Sequence, residues 1–321
     1  MKKLIVLMRD DALSFVRAAG WGDAVASPVA GDLSTRSYTR LTHAGRTAIL
    51  MDAGDEIAAT EAFCKMTEWL RDLGLSAPAI LDARVSAGLL LLEDLGTQSV
   101  SDLLSQGGES VHIFQTCIDL LLTMRSQQVP NLSEPTAHEM AEWTRLADQY
   151  YPNADPGLLD GVRSVLKTEI ELFTTRTTVS LRDFHADNLM WLPDRDGIRK
   201  LGLLDYQDAF STHPVYDLVS LLTDARMYVP PETRKTYIRA YATASGDDLS
   251  ELERAFAMFS VQRNLRILGI FHRAAEDFGK RHHLPKVRRV YGYLIEAFEH
   301  PVFADVRRSV PTALPPPENC T

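Results

Sequence analysis

Three oxygen-bearing side chains, Asp183, Asn188 and Asp205, have the types and the spacing that metal-assisted chemistry on a hydroxyl group requires. Asp183 and Asn188 lie five positions apart in the stretch SLRDFHADNLMWL, residues 180–192, and Asp205 follows in KLGLLDYQDA, residues 200–209. An amide oxygen and a carboxylate oxygen are hard ligands of the kind that Mg²⁺ prefers. The remaining carboxylate is then available to take the proton of an acceptor hydroxyl.

The sequence between these side chains predicts a β-hairpin over residues 188–204. An apolar run, a turn at PDRDG (residues 193–197) and a second apolar run follow one another. In an antiparallel pair, the residue that enters the first strand lies beside the residue that leaves the second. Asn188 and Asp205 are therefore expected to be neighbours, which is the arrangement that phosphoryl transfer from ATP needs. The alternative is that Asp183 and Asn188 only cap turns in a solvated loop.

The predicted secondary structure changes near residue 93, from mostly strands to mostly helices. Residues 1–92 contain strand patterns, a helix expected from Asp55 to Asp72 and a buried strand at Leu89–Leu92. Residues 93–96 are predicted to be a linker, and residues 97–310 a mostly helical part with the hairpin as its one β-like interruption. Residues 311–321 lack periodicity and are expected to be disordered. Amphipathic spacing predicts helices at about 111–126, 136–150, 157–174, 214–226, 231–244, 249–278 and 285–298.

The composition excludes several classes of partner. The formal net charge of −9 argues against a nucleic acid or an anionic membrane, because either needs a basic face. No apolar run approaches the ~20 residues that span a bilayer. The three cysteines are far apart and have no metal-ligand spacing, which is typical of a reducing compartment. We expect a cytoplasmic monomer that acts on a small molecule.

The segments around Asp183 and Asp205 resemble the two signatures of the aminoglycoside/choline phosphotransferases, which are relatives of protein kinases. The resemblance implies an α+β, protein-kinase-like bilobal fold, with a small β-rich N-terminal lobe and a larger, mostly helical C-terminal lobe. A narrower likeness covers most of the chain, including 51-MDA-53 and 262-QRNLRILGIFHR-273. These segments are similar to bacterial cell-wall-recycling kinases that phosphorylate N-acetylmuramate and N-acetylglucosamine at the anomeric hydroxyl.

The resemblance assigns roles to individual residues. Asp183 would deprotonate the acceptor hydroxyl, while Asn188 and Asp205 would bind Mg²⁺. The hinge, whose backbone meets the adenine of ATP, would be Leu92-Glu93-Asp94. Two residues are expected to be structural, Asp217 as a brace of the catalytic loop and His185 within that loop.

One feature of kinases is missing. Kinases carry a lysine on the third strand that holds the phosphates and pairs with a helix glutamate, but no lysine occurs between Lys3 and Lys65. Glu61 is at the position of the helix glutamate. Arg36, in the polar loop with Ser34 and Thr35, is our candidate for the phosphate contact, because arginine is always charged and offers two parallel donors. The alternatives are a solvated Arg36, or a degenerate kinase that binds nucleotide without transferring phosphate.

The acceptor site is less constrained by the sequence. We expect Asp208, Asn264 and Arg266 to contribute to it, and Arg266 to meet a sugar carboxylate or the transferred phosphate; a surface position on its helix is the alternative. An amino sugar is the preferred acceptor. A different small alcohol, such as an aminoglycoside or choline, is the alternative within the same chemistry.

Overall fold

The chain forms two compact units in the computed structural model, which describes residues 8–29, 36–108, 110–173 and 177–317. The first unit comprises the described residues up to Ser99 together with Asn188–Asp208, and the second comprises Val100–Asp187 and the residues from Ala209 onward. The hairpin segment therefore belongs with the N-terminal residues, whereas the expected boundaries placed it in the helical part, 97–310.

The regular elements are as follows in chain order. The α-helices are α1 (Asp10–Ala18), α2 (Ile57–Asp72), α3 (Val100–Ser105), α4 (Ser110–Arg125), α5 (Ala137–Glu142), α6 (Arg145–Tyr150), α7 (Pro156–Leu172), α8 (Val215–Leu222), α9 (Pro231–Ser245), α10 (Leu249–Phe278), α11 (Leu284–Phe298) and α12 (Val310–Ala313). The strands are β1 (Val25–Val29), β2 (Ser37–His43), β3 (Arg46–Asp52), β4 (Ile80–Arg84), β5 (Leu89–Glu93), β6 (Thr178–Ser180), β7 (Leu189–Trp191), β8 (Leu201–Leu203) and β9 (Phe210–Thr212).

The first unit is built on an antiparallel sheet with the strand order β1-β2-β3-β5-β4. Alternate residues of its central strands, such as Leu41, Leu50 and Leu91, are buried against Phe15 of α1. This period of two is the one that a strand imposes on its side chains. Helix α2 begins at Ile57 with Glu56 at its N-cap, so the cap expected at Asp55 is one residue too early.

The hairpin β7–β8 is tied to the N-terminal residues by main-chain hydrogen bonds. Trp191 N–H donates to Gln98 O at 2.9 Å, and Leu203 N–H donates to Ser76 O at 3.0 Å. These bonds satisfy buried backbone groups of both hairpin strands. They explain why the hairpin is part of the first unit.

The second unit is mostly helical, as predicted, and its longest helix is α10. Three differences from the sequence-based prediction have local causes. The expected helix over 136–150 is two helices, because the chain turns at Trp143–Thr144, where Thr144 Oγ1 donates to Ala141 O. Strands β6 and β9 pair with each other and are only three residues long, too short to show a pattern.

The third difference concerns the C-terminal segment. The expectation of disorder is wrong for residues 311–317, because α12 lies there and Leu314 is fully buried. Tyr291 and Tyr151 donate their hydroxyl protons to the carbonyl oxygens of Leu314 and Pro315. Residues 318–321 lie outside the described part of the chain. Among the described helices, none combines the length and the apolarity needed to cross a bilayer.

Candidate active site

The hairpin brings Asn188 and Asp205 close together in the first unit. Its strands pair with Leu189 opposite Leu203, and Leu204 N–H donates to Asn188 O at 3.0 Å. Asp205 therefore directly follows the residue that bonds the Asn188 backbone. The register predicted for the hairpin is confirmed, and the binding of a metal ion by these two residues stays a prediction.

Asp205 is held in an unusual backbone conformation. Its φ of 57° lies in the left-handed region, which residues other than glycine rarely adopt. The next residue, Tyr206, is fully buried, shares a hydrogen bond of 2.8 Å with Thr67 Oγ1 and stacks on Phe63. Gln207 Nε2 donates to Asp205 Oδ1 at 2.9 Å. These contacts fix the direction of the Asp205 carboxylate, and backbone strain of this kind is typical of functional sites.

Arg36 places a positive charge beside Asp205. Its Nη1 lies 3.6 Å from Asp205 Oδ1, its Nε lies 3.5 Å from Glu56 Oε2, and its side chain is only 9% exposed. The alternative of a solvated surface arginine is therefore wrong. Glu61 lies on the exposed side of α2, and it is Glu56 that forms the ion pair with Arg36.

The other two residues expected in the polar loop, Ser34 and Thr35, lie outside the described residues. The expected hinge lies at the end of β5. Leu92 is buried within this strand. Glu93 N–H donates to Ala79 O at 2.8 Å.

The side chain of Asp94, the last residue of the expected hinge, is committed to Arg40 on β2. Its carboxylate accepts two hydrogen bonds from the Arg40 guanidinium, at 2.7 and 2.9 Å. Burial acts to raise the pKa of Asp94, but the Arg40 hydrogen bonds and the Gly96 N–H keep this pKa below its ordinary value. An interaction with adenine would therefore fall to the backbone of this segment, as the resemblance implies.

In the second unit, Asp217 on α8 braces the loop that carries Asp183. The buried Asp217 carboxylate accepts hydrogen bonds from Ser180 Oγ and Leu181 N–H, both at 2.7 Å, and from Arg182 N–H at 3.1 Å. Arg182 has a φ of 69°, so these bonds hold a strained residue directly before Asp183. Burial raises the pKa of Asp217 to about 6, although the bonds from Ser180 and Leu181 act to lower it.

Arg263 on α10 contacts Asp183 directly. Its Nη2 lies 3.4 Å from Asp183 Oδ1 and donates to Ser220 Oγ at 2.7 Å. The Arg263 side chain is buried, whereas the Asp183 side chain is 40% exposed. The contact with Arg263 leaves the Asp183 carboxylate accessible to solvent.

His185 is a buried residue of the same loop. Its backbone N–H donates to Asp183 O at 2.9 Å. Burial lowers the pKa of His185 well below its ordinary value, and the positive charges of Arg226 and Arg263 lower it further. A neutral, buried imidazole fits the structural role expected for His185. Among the described residues, no group of three or more His, Cys, Asp or Glu side chains forms a metal site.

The residues expected at the acceptor have different environments. Asp208 is exposed in the first unit, where it accepts a hydrogen bond from Gln207. Asn264 is fully buried in the second unit, with its Nδ2 at 3.4 Å from Thr223 Oγ1. Arg266 is partly buried, so it is not a surface arginine, and its guanidinium lies over the ring of Trp143. The three residues are not brought together within one unit.

A sequence profile of the phosphotransferase enzyme family matches residues 25–254, which is more than half of the chain. The chain belongs to this family. The matched range includes Asp183, Asn188 and Asp205, and it extends from β1 to the first turns of α10.

Relatives of this phosphotransferase are named as kinases. The N-acetylmuramate/N-acetylglucosamine kinase of Caulobacter vibrioides is 30% identical, with an alignment that covers 92% of this chain and 93% of the relative. The protein of the same name from Pseudomonas aeruginosa is 29% identical, and its alignment covers 86% of each chain. The family and these relatives identify the phosphotransferase as an enzyme that acts as a kinase.

Solved structures confirm the kinase-like fold. Choline kinase LicA from Streptococcus pneumoniae matches with a TM-score of 0.61 at 17% identity, over 84% of this chain and 94% of that one. Aminoglycoside phosphotransferase APH(3'')-Id from Streptomyces rimosus, solved in complex with ADP and streptomycin, matches with a TM-score of 0.56 at 21% identity. That match covers 80% of this phosphotransferase and 99% of the other chain.

The sequence-based reading of the phosphotransferase missed two contacts. Arg263 is three residues before Arg266, and residues with this spacing share a helix face. Helical periodicity could therefore have indicated that Arg263 lies on the same face of α10 as Arg266. The pairing of Glu56 with Arg36 could not be predicted in this way, because the two residues are twenty positions apart and Arg36 lies in a segment without periodicity.

Proposed function

We propose that this phosphotransferase transfers the γ-phosphate of ATP to the anomeric hydroxyl of N-acetylmuramate or N-acetylglucosamine, as a cytoplasmic monomer in cell-wall recycling. The observation that carries this proposal is the similarity to the Caulobacter vibrioides kinase, which extends over 92% of this chain and 93% of that one. Similarity over that length includes the segments that carry Asp183, Asn188 and Asp205 in both units.

Asp183 is proposed to act as the general base. Its side chain is 40% exposed, so an acceptor hydroxyl can reach the carboxylate, and its Oδ1 lies 3.4 Å from Arg263 Nη2. The three residues that precede Asp183 in the chain are held by hydrogen bonds to the Asp217 carboxylate. Phosphoryl transfer depends mainly on positioning and charge neutralisation, so a carboxylate held in this way is suited to orient the acceptor hydroxyl.

Asn188 and Asp205 are proposed to hold Mg²⁺. Both present oxygen donors from one end of the hairpin, and the Asp205 side chain is 42% exposed. This donor set fits Mg²⁺, which is usually bound by one or two protein oxygens, substrate phosphates and water. When bound, the ion would neutralise charge on the phosphate oxygens.

Arg36 is proposed to contact the nucleotide phosphates in place of the missing lysine. Its guanidinium lies between Glu56 and Asp205, so the arginine–glutamate pair corresponds chemically to the lysine–glutamate pair of other kinases. Glu56, rather than Glu61, would orient the guanidinium. Arginine suits this position because its planar group offers parallel donors to phosphate oxygens.

Replacing Arg36 with Gln is expected to raise KM for ATP by about 10- to 100-fold, because a charge-assisted contact to phosphate is lost. Arg36→Lys should have an intermediate effect, since lysine keeps the charge without the parallel donors. Glu56→Gln should shift KM in the same direction by less. Arg46→Gln, at an exposed position of β3, is the matched control. An unchanged KM for ATP in Arg36→Gln would show that another group holds the phosphates.

The proposed function is tested by ADP release from Mg·ATP with a panel of acceptors. The panel contains N-acetylmuramate, N-acetylglucosamine, choline and an aminoglycoside, and phosphorus NMR identifies the phosphorylated position. We expect turnover with the amino sugars and a product phosphorylated at the anomeric carbon.

Turnover with choline or the aminoglycoside alone would identify the enzyme as a kinase for a different alcohol. Binding of Mg·ATP without turnover of any of the four acceptors would contradict the proposed acceptor class.

A further inference from the structure

Three arginine residues lie near Asp183 in the second unit. Arg182 precedes it in the loop, and Arg263 and Arg266 lie one helical turn apart on α10. The charge of Arg263 is matched by Asp183 itself, at 3.4 Å. Within the described residues, neither Arg182 nor Arg266 forms a direct ion pair with a carboxylate, although the Asp183 charge acts on Arg266 from a longer distance.

Trp143 holds both of these guanidinium groups. The Cζ atoms of Arg182 and Arg266 lie 5.4 and 5.3 Å from the centre of the Trp143 ring, within the range of a cation–π contact. The ring is itself fixed, because it packs edge-on against Phe210 with 5.7 Å between the ring centres. Arg182 Nε is buried and has no hydrogen-bond partner in the described part of the chain. The two groups are thus positioned by an aromatic ring and not by a direct ion pair.

An arrangement of this kind is costly unless an anion completes it. A buried charge without a partner lowers stability, and a cation–π contact offsets only part of that cost. Burial lowers the pKa of Arg266, and the positive charges of Arg182 and Arg263 act in the same direction, whereas Tyr216 and Asp183 act to raise this pKa. Arginine stays protonated all the same, so the local excess of positive charge persists.

We propose that Arg182 and Arg266, held on Trp143, form a subsite for a carboxylate of the acceptor. This inference rests on the proposed function and narrows it. N-acetylmuramate carries a lactate carboxylate that N-acetylglucosamine lacks, so the subsite makes the acidic sugar the preferred acceptor. Cationic alcohols, such as choline and aminoglycosides, are disfavoured by the same two charges.

The location of the subsite favours the acceptor over the nucleotide as the source of the anion. Arg182 and Arg266 belong to the unit that contains Asp183, the residue proposed to meet the acceptor hydroxyl. The residues proposed to meet the phosphates, Arg36 and Asp205, belong to the first unit.

The test compares kcat/KM for N-acetylmuramate and for its methyl ester, which keeps the shape of the sugar and removes the charge. We expect the ratio of acid to ester to fall by about 10- to 100-fold in Arg266→Gln, the range for loss of a charge-assisted hydrogen bond. Arg182→Gln should shift the ratio in the same direction. Arg273→Gln removes a charge from an exposed position of the same helix and is the matched control.

Equal losses for acid and ester in Arg266→Gln would overturn the subsite, because the arginine would then act on the phosphate or on the fold. An unchanged ratio in both variants would overturn it as well. Calorimetric binding of N-acetylmuramate without nucleotide separates this inference from the proposed function. Binding that is weaker in Arg266→Gln, in a protein that turns over neither sugar, would support the subsite while contradicting the proposed reaction.

Discussion

Replacing Asp183 with Asn is expected to lower kcat by about 10²- to 10⁴-fold, the usual contribution of a general base. Asparagine keeps the size of the side chain and its contact with Arg263, but it cannot accept the proton of the acceptor hydroxyl. The affinity for Mg·ATP should stay nearly unchanged, because Asp183 is proposed to act on the acceptor. Steady-state kinetics and calorimetry together measure both effects.

Asp187→Asn is the matched control for this prediction. Asp187 lies in the same loop, and its carboxylate pairs with Arg226 Nε at 3.1 Å rather than with Arg263. We expect a much smaller change in kcat for this variant. Turnover at the wild-type rate in Asp183→Asn would show that another group removes the proton.

Asp205→Asn is expected to abolish the Mg²⁺-dependent part of nucleotide affinity, a loss on the order of 100-fold or more, since one of two proposed protein ligands is neutralised. Asparagine is chosen because it tolerates the positive φ of 57° at this position better than alanine does. The measurement is calorimetric titration with ATP, with and without Mg²⁺. The wild type should show a large difference between the two titrations, and the variant almost none.

Asp196→Asn provides the control in the same hairpin. Asp196 is in the turn, and its side chain is 92% exposed. This variant should bind Mg·ATP as the wild type does. An Asp205→Asn variant that retains the full effect of Mg²⁺ would exclude Asp205 as a ligand, whatever the hairpin register.

Much of the candidate site could be predicted because its signals are local. The apolar runs on either side of a Pro-Asp-Arg-Asp-Gly turn fixed the register of β7 and β8, and with it the proximity of Asn188 and Asp205. Because no lysine occurs between Lys3 and Lys65, Arg36 was the predicted phosphate contact, and its Nη1 lies 3.6 Å from Asp205 Oδ1. Both inferences needed only a short range of residues.

The contacts that could not be predicted join segments far apart in sequence. The contacts of Arg182 and Arg266 with Trp143 depend on a turn at Trp143 between helices α5 and α6. The amphipathic pattern of this segment predicts one continuous helix instead. Tertiary packing overrides the local pattern there. Leu314 is similarly held by Tyr291, which no periodicity of the C-terminal segment could indicate.

The first unit is discontinuous in sequence, and this has a consequence for its folding during synthesis. The ribosome must add everything from Val100 to Asp208 before β7, β8 and Tyr206 exist, which takes roughly 5 to 20 s at typical elongation rates. Until then, Thr67 lacks its hydroxyl partner and Phe63 its stacking partner. The first unit therefore cannot be completed until most of Val100–Asp187, which belongs to the second unit, has been made. Since Asp205 and Tyr206 are adjacent, a nascent chain gains the proposed metal ligand and the partner of Thr67 and Phe63 in two successive steps of translation.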